Sequence, residues 1–148
     1  MRVGEIMKKN VATVSRDTTA VIARETMKRS RIRHLVVTEG SEIVGVLSDR
    51  DLRGVRDEEA DDVTVGETMT PYAVKARPGM PLRQAANLMR GWTIGCLPVV
   101  ENERLVGIIT TSDLLEIIGR GLVKPLETQE RKVLPRRAPR VKPKIARG

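Results

Sequence analysis

The chain has no phenylalanine, and Trp92 and Tyr72 are the only aromatic residues among its 148. Any core must be built from Val, Ile, Leu, Met and Ala. Aromatic platforms on which nucleic-acid bases could stack are almost missing, which argues against sequence-specific single-strand recognition. Cys96 is the single cysteine and His34 the single histidine. One cysteine excludes an intramolecular disulfide framework, and a Cys-rich metal site has nothing to be built from. One histidine removes histidine clusters and leaves neither a Ser–His–Asp triad nor a Cys–His pair with support. No apolar run approaches the roughly 20 residues needed to cross a bilayer. The N-terminus lacks a secretory h-region, so a cytoplasmic location is the expectation. Walker-type and glycine-rich dinucleotide loops are also missing.

What is present suffices for a folded protein: 40 % of the residues are hydrophobic, too many for wholesale disorder. Charge is unevenly placed. Residues 1 to 119 carry 17 basic and 17 acidic side chains, whereas residues 120 to 148 carry ten basic and two acidic ones, which is the whole net charge of +8. Four prolines (Pro125, Pro135, Pro139, Pro143) fall in that last stretch, which reads as a basic, non-globular tail.

An internal repeat dominates the rest. An ungapped shift of 62 residues lays Val3-Gly4-Glu5-x-Met7 on Val65-Gly66-Glu67-x-Met69 and matches 14 of 50 positions. The pairs continue through Ala23 with Ala85, Met27 with Met89, Leu35 with Leu97 and Val44-Gly45 with Val106-Gly107. They end at Asp51-Leu52 with Asp113-Leu114. Each copy reads as one string of elements. A short amphipathic turn (Val3 to Lys8) is followed by a strand at Val11–Val14, echoed weakly at Ala73–Lys75. A helix follows. In the first copy Asp17 or Thr18 is its expected cap, with Val21, Ile22 and Met27 on the apolar face. In the second, Pro81 is the expected first helical residue, Leu82, Ala85, Ala86 and Met89 form the face, and Gly91 ends it. Two strands joined by a tight turn come next: His34–Thr38 with Ile43–Leu47, and Cys96–Val100 with Leu105–Ile109. Last, Ser48 and Thr110 stand as N-caps with Asp51 and Asp113 three residues on, the spacing of a capping box with Asp in place of Glu.

One copy is about 55 residues, marginal for an independent core, so the two should pack together. The expected organisation is a first repeat at 1–56, an acidic linker at 57–62, a second repeat at 63–119 and the basic tail at 120–148.

The order of elements, the Ile-Arg-His-Leu-Val-Val segment at 32–37 and the Gly-x-x-Ser/Thr-x-x-Asp corners at 45–51 and 107–113 resemble the tandem cystathionine-β-synthase (CBS) domain pair, or Bateman module. The resemblance implies a mixed α/β (α+β) fold of duplicated β-α-β-β-α units packed with pseudo-twofold symmetry. It implies a stand-alone, non-catalytic regulatory module whose clefts hold adenosine compounds (AMP, ADP, ATP or S-adenosylmethionine) and which forms a homodimer, a disc of four repeats. Its effector is unknown.

The chemistry of the corners fits that implication. A carboxylate at a helix start accepts two hydrogen bonds from the cis-diol of a ribose, and a hydroxyl three residues earlier can bond sugar or phosphate. Asp51 with Ser48 and Asp113 with Thr110 are the candidates; both aspartates could equally serve only as caps. The copies differ around them. Arg33, His34 and Arg50 offer cations for phosphate near Asp51, where the second copy has Gly95, Cys96 and Ser112. The adenine slot is expected at Thr13, Thr18 and Ala23 for one cleft and Met80 and Ala85 for the other, unless the alanines are small for helix packing. Cys96 reads as a buried strand residue and Trp92 as packing. Two other functions compete: non-specific nucleic-acid binding through residues 120–148, and a partner-docking module with degenerate clefts.

Overall fold

The structure, a computed structural model, describes residues 1–71 and 74–122. The elements run α1 (Val3–Ile6), β1 (Thr13–Ser15), α2 (Ala20–Ser30), β2 (His34–Glu39), β3 (Glu42–Ser48) and α3 (Asp49–Arg53). A 3-10 turn at Asp57–Glu59 leads to α4 (Val65–Thr68), β4 (Thr70–Pro71), α5 (Leu82–Trp92), β5 (Cys96–Glu101), β6 (Arg104–Thr110) and α6 (Thr111–Gly119). The continuous β-branched runs are the strands, with several consecutive residues buried along each. The hairpin β2–β3 carries a bulge between Val37 and Thr38, and β5–β6 carries one at the equivalent place, between Val99 and Val100.

The two long helices start and stop one or two residues from where the sequence suggests. Helix α2 is capped by Thr19, whose hydroxyl accepts the Ile22 N–H at 3.4 Å, rather than by Asp17 or Thr18. That start puts Ala20, Ala23 and Met27 on the buried face and leaves Ile22 half exposed. Pro81 is the N-cap of α5, one position earlier than expected, and Gly91 stays inside the helix. Thr93 ends α5 in the left-handed region at φ 53°, as Arg31 ends α2 at φ 53°. In both, the next residue closes the helix from outside: Ile32 N–H reaches Met27 O, and Ile94 N–H reaches Met89 O, each at 3.0 Å. The isoleucine packs in the same core as the methionine it bonds, a hydrophobic closure that outweighs the local preference of Gly91.

The sheets interlace the repeats. In the first unit β1 runs parallel to β2, β2 antiparallel to β3, and β3 antiparallel to β4. Strand β4 belongs to the second repeat, just after its opening helix α4. The second unit reproduces this with single bridges: Ala76 parallel to Val99, and Lys8, from the first repeat, antiparallel to Ile108. Ala73 of the expected strand echo lies outside the described residues, and Val74 and Lys75 form no named strand. The short opening helices cross over likewise. The N–H groups of Val3 and Gly4 bond Met80 O and Pro78 O at 2.8 Å, while those of Val65 and Gly66 bond Thr18 O and Arg16 O at 2.7 and 2.8 Å. Val3 is wholly buried in the core of the second unit and Val65 in that of the first; each contributes about 1.5–3 kcal/mol by its burial. Gly45 and Gly107 let the crossing chain pass. A Cβ on Gly45 would sit 2.6 Å from Thr70 O, and one on Gly107 would sit 2.6 Å from Met7 Sδ.

A third cluster, Val36, Val46, Cys96 and Ile108, joins the sheets. The acidic segment is part of the first unit: Ala60 is buried in its core, and Arg24 pairs with Asp57 at 3.0 Å and donates to Leu52 O and Val55 O. No helix among the described residues is long and apolar enough to cross a membrane.

Candidate ligand-binding site

Both strand-to-helix corners form the expected reciprocal caps. Ser48 Oγ accepts the Asp51 N–H at 3.3 Å and Asp51 Oδ2 accepts the Ser48 N–H at 2.9 Å. Thr110 Oγ1 accepts the Asp113 N–H at 3.3 Å and Asp113 Oδ2 accepts the Thr110 N–H at 2.8 Å. Capping therefore occupies one oxygen of each aspartate and leaves Oδ1 for something else.

What meets Oδ1 differs. Lys8 Nζ lies 3.6 Å from Asp113 Oδ1, the Thr110 hydroxyl adds a 3.1 Å bond to Oδ2, and Asp113 is only 5 % exposed. Lys8 is positioned by the bridge from its strand segment to Ile108. The repeat places Thr70 at the corresponding point of the other unit, facing Val46, and threonine carries no charge. Asp51 is half-buried and has no ion pair among the described contacts.

In front of Asp51 a cavity of about 810 Å³ opens between the repeats. Ser48, Asp51, Arg33, His34, Arg50 and Ser112 all line it, so six of the site residues that the sequence suggests meet in one place. Its walls hold four arginines (Arg33, Arg50, Arg53, Arg90) against two aspartates (Asp49, Asp51), a surplus of positive charge. Arg53 and Asp49 face each other loosely at 3.9 Å along α3. The second repeat contributes α5 with Asn87 and Arg90, then Gly95, Cys96 and the N-terminal residues Thr111 and Ser112 of α6. Ser112, expected beside Asp113, thus serves the Asp51 cavity.

Electrostatics distinguish the two residues at the centre. His34 is half-buried, and loss of hydration lowers its pKa below 6.5; Asp49 and Asp51 oppose that shift, Arg33 and Arg50 reinforce it. Burial pushes the Cys96 thiol up to about 12, with a smaller push from Asp51, so it stays protonated and unreactive.

The residues expected around adenine are not on this cavity's wall. Ala23 and Ala85 are wholly buried, each in its own unit's core, where small size serves helix-on-sheet packing. Thr13 is exposed on β1, Thr18 offers its carbonyl to Val65, and Met80 packs on the second core. Arg53, Arg90 and Lys8 escaped the sequence reading. Arg90 carries no local signal, being one of several polar residues on α5. Lys8 had one: it stands opposite Thr70 in the repeat.

A family model described as "CBS domain" matches residues 3–58 and again 63–120. A CBS domain-containing protein of Dictyostelium discoideum is 33 % identical over 139 residues, covering 84 % of this chain and 93 % of the relative. The CBS domain-containing protein YhcV of Bacillus subtilis is 35 % identical over 114 residues, covering 76 % and 81 %. Among solved structures, the CBS domain pair of MJ0100, in complex with methylthioadenosine and S-adenosyl-L-methionine, superposes with a TM-score of 0.73 at 25 % identity, covering 82 % of this chain and 98 % of that one. The CBS-domain protein ATU1752 of Agrobacterium tumefaciens gives 0.73 at 26 % identity, over 80 % and 99 %. With a match in each repeat and a fold shared with solved pairs, this chain belongs to the CBS-domain family as a tandem pair, a regulatory module.

Proposed function

We propose that the chain is a non-catalytic sensor that binds an adenosine-containing ligand in the Asp51 cleft, with AMP, ADP or ATP preferred to S-adenosylmethionine. The carrying observation is the meeting of Ser48, Asp51, Arg33, His34 and Arg50 in one cavity of about 810 Å³. Asp51 Oδ1 accepts from the ribose diol. Arg33 and Arg50, whose forks bond two oxygens each, take the phosphates, with Arg90 within the same wall. The positive surplus disfavours the sulfonium of S-adenosylmethionine. The likeness to a pair solved with two adenosine compounds supports the ligand class. A homodimeric disc fits the exposed Leu115 and Ile118 on α6, the place of action is the cytoplasm, and the effector is a separate protein.

Calorimetry on the full chain with AMP, ADP, ATP, adenosine and S-adenosylmethionine tests this. Absence of heat and of any melting shift at millimolar ligand overturns it. A second reading rests on eight Lys/Arg between Arg131 and Arg147, a density suited to phosphate backbones. Those residues lie outside the described ones. Removing residues 123–148 abolishes RNA or DNA retention if the tail is the binder and leaves the adenosine site untouched.

A further inference from the structure

The one histidine of the chain stands at a crossing of charges. His34 opens β2 and pairs across the ladder with Ser48, which sets its ring beside the Asp51 corner. Its Nε2 lies 2.9 Å from the point where a Cβ on Gly95 would be. The imidazole thus rests against the backbone of the other repeat, and the glycine makes room for it. Groups of both signs face it. Arg33 precedes it; α3 brings Asp49, Arg50 and Asp51; β5 brings the Cys96 thiol, which is neutral; α5 and the end of α3 add Arg90 and Arg53 across the cavity.

We propose that His34 sets the charge and pH selectivity of the Asp51 cleft: binding of an anionic nucleotide is accompanied by net proton uptake from solvent at His34, whereas binding of an uncharged nucleoside is not. The proposal rests on the adenosine-ligand reading of this cleft and adds the coupling. In the ligand-free protein, burial and the neighbouring arginines hold the ring neutral at pH 7 against the pull of Asp49 and Asp51. A phosphate seated between Arg33 and Arg50 cancels their charge and adds its own, so the same ring now gains by ionising. The imidazolium presents two donors where the neutral ring presents one. Linkage then requires that anion affinity rise as pH falls through the ligand-bound pKa towards the lower free-protein pKa, by up to about tenfold for each unit by which the anion raises that pKa. Adenosine affinity stays level over the same range.

Because the chain has a single histidine, proton NMR of untagged protein resolves its imidazole without assignment. The titration is run on the protein alone, with ADP and with adenosine. Calorimetry near pH 6.5 in two buffers of different ionisation heat measures proton uptake, in the native chain and in His34→Asn. The variant supplies the baseline for the phosphate's own ionisation. The expected result is a midpoint below 6.5 in the free protein, raised by about one unit with ADP and unmoved by adenosine. Uptake is larger in the native chain than in His34→Asn, and the pH dependence of ADP over adenosine flattens in the variant. Gly95→Ala, whose new methyl displaces the ring, returns the free midpoint towards 6.5. ADP heat with an unmoved imidazole, or equal uptake in the native chain and His34→Asn, overturns the coupling and leaves the binding site standing. No heat with any adenosine compound overturns the site, and the coupling with it.

Discussion

The two strand-to-helix corners have the same backbone and the same reciprocal cap, yet they present opposite surroundings. At Asp51 the second carboxylate oxygen faces a cavity rich in arginine. At Asp113 it faces Lys8, and the side chain is buried. Each corner is made different by the other repeat, because the segment that crosses over brings Thr70 to one and Lys8 to the other. Duplication kept what the fold needs, which is the glycine, the cap and the apolar strand. It released what recognition needs, the charges around the cap. The aspartate recurs at both corners, while the groups that meet its second oxygen differ between them.

Four experiments press on that comparison. The largest effect is expected from removing the carboxylates one at a time. Asp51→Ala lowers calorimetric affinity for ADP at least about tenfold, since a charged hydrogen-bond acceptor contributes about 1.5–3 kcal/mol. Asp113→Ala leaves affinity within about threefold, although each variant loses the hydrogen bond its carboxylate accepts from the N-cap N–H, about 1–3 kcal/mol of stability. Equal losses of affinity would erase the distinction between the corners. Next, if the guanidinium groups take the phosphates as proposed, the double variant Arg33→Ala/Arg50→Ala should lose about tenfold in ADP affinity and most of its salt dependence while sparing adenosine. A parallel loss of adenosine binding would assign the arginines to the fold instead.

The third concerns pH and stability. His34 has a folded pKa below its unfolded value of 6.5. Above 6.5 both states are neutral and the group contributes nothing. As pH falls below 6.5 the unfolded state takes up the proton first, so stability declines until the lowered folded pKa is reached. His34→Gln flattens this part of the denaturant-midpoint profile; an unchanged slope would place the titration elsewhere. The smallest effect is expected for Lys8→Thr, which copies Thr70 into the second corner. The Lys8 side chain is 67 % exposed although Asp113 is buried, the contact is loose at 3.6 Å and the carboxylate keeps its capping bonds, so the pair contributes on the order of 1 kcal/mol. The melting point should drop by no more than about 4 °C, and the gap to the native chain should close at high salt.

Much of this could be read in the residues. The repeat, the hairpins and both capping boxes follow from patterns that short-range physics enforces: β-branched runs, small turns, a hydroxyl three residues before a carboxylate. The meeting of Arg33, His34 and Arg50 with Asp51 was legible because a hairpin between β2 and β3 folds the start of one strand back on the end of the other, pairing His34 with Ser48. Helix ends were less so, since Ile94 closing onto Met89 overrides Gly91 through a tertiary contact. The positions expected around adenine do not line the Asp51 cavity. Ala23 and Ala85 are small in both copies, and smallness alone does not tell a packed helix from a ligand wall. Arg90 approaches the cavity only because the second repeat docks there, a relation with no trace in local sequence.

The crossing of the opening helices has a mechanical consequence. Val3 and Gly4 are bonded to Met80 and Pro78, and Lys8 to Ile108. A pull on Met1 therefore enters the molecule through the half farthest along the chain. Val65 and Gly66 return the favour on Thr18 and Arg16. Cleavage within 57–62 would yield two fragments still clasped, each holding a piece of the other's interior.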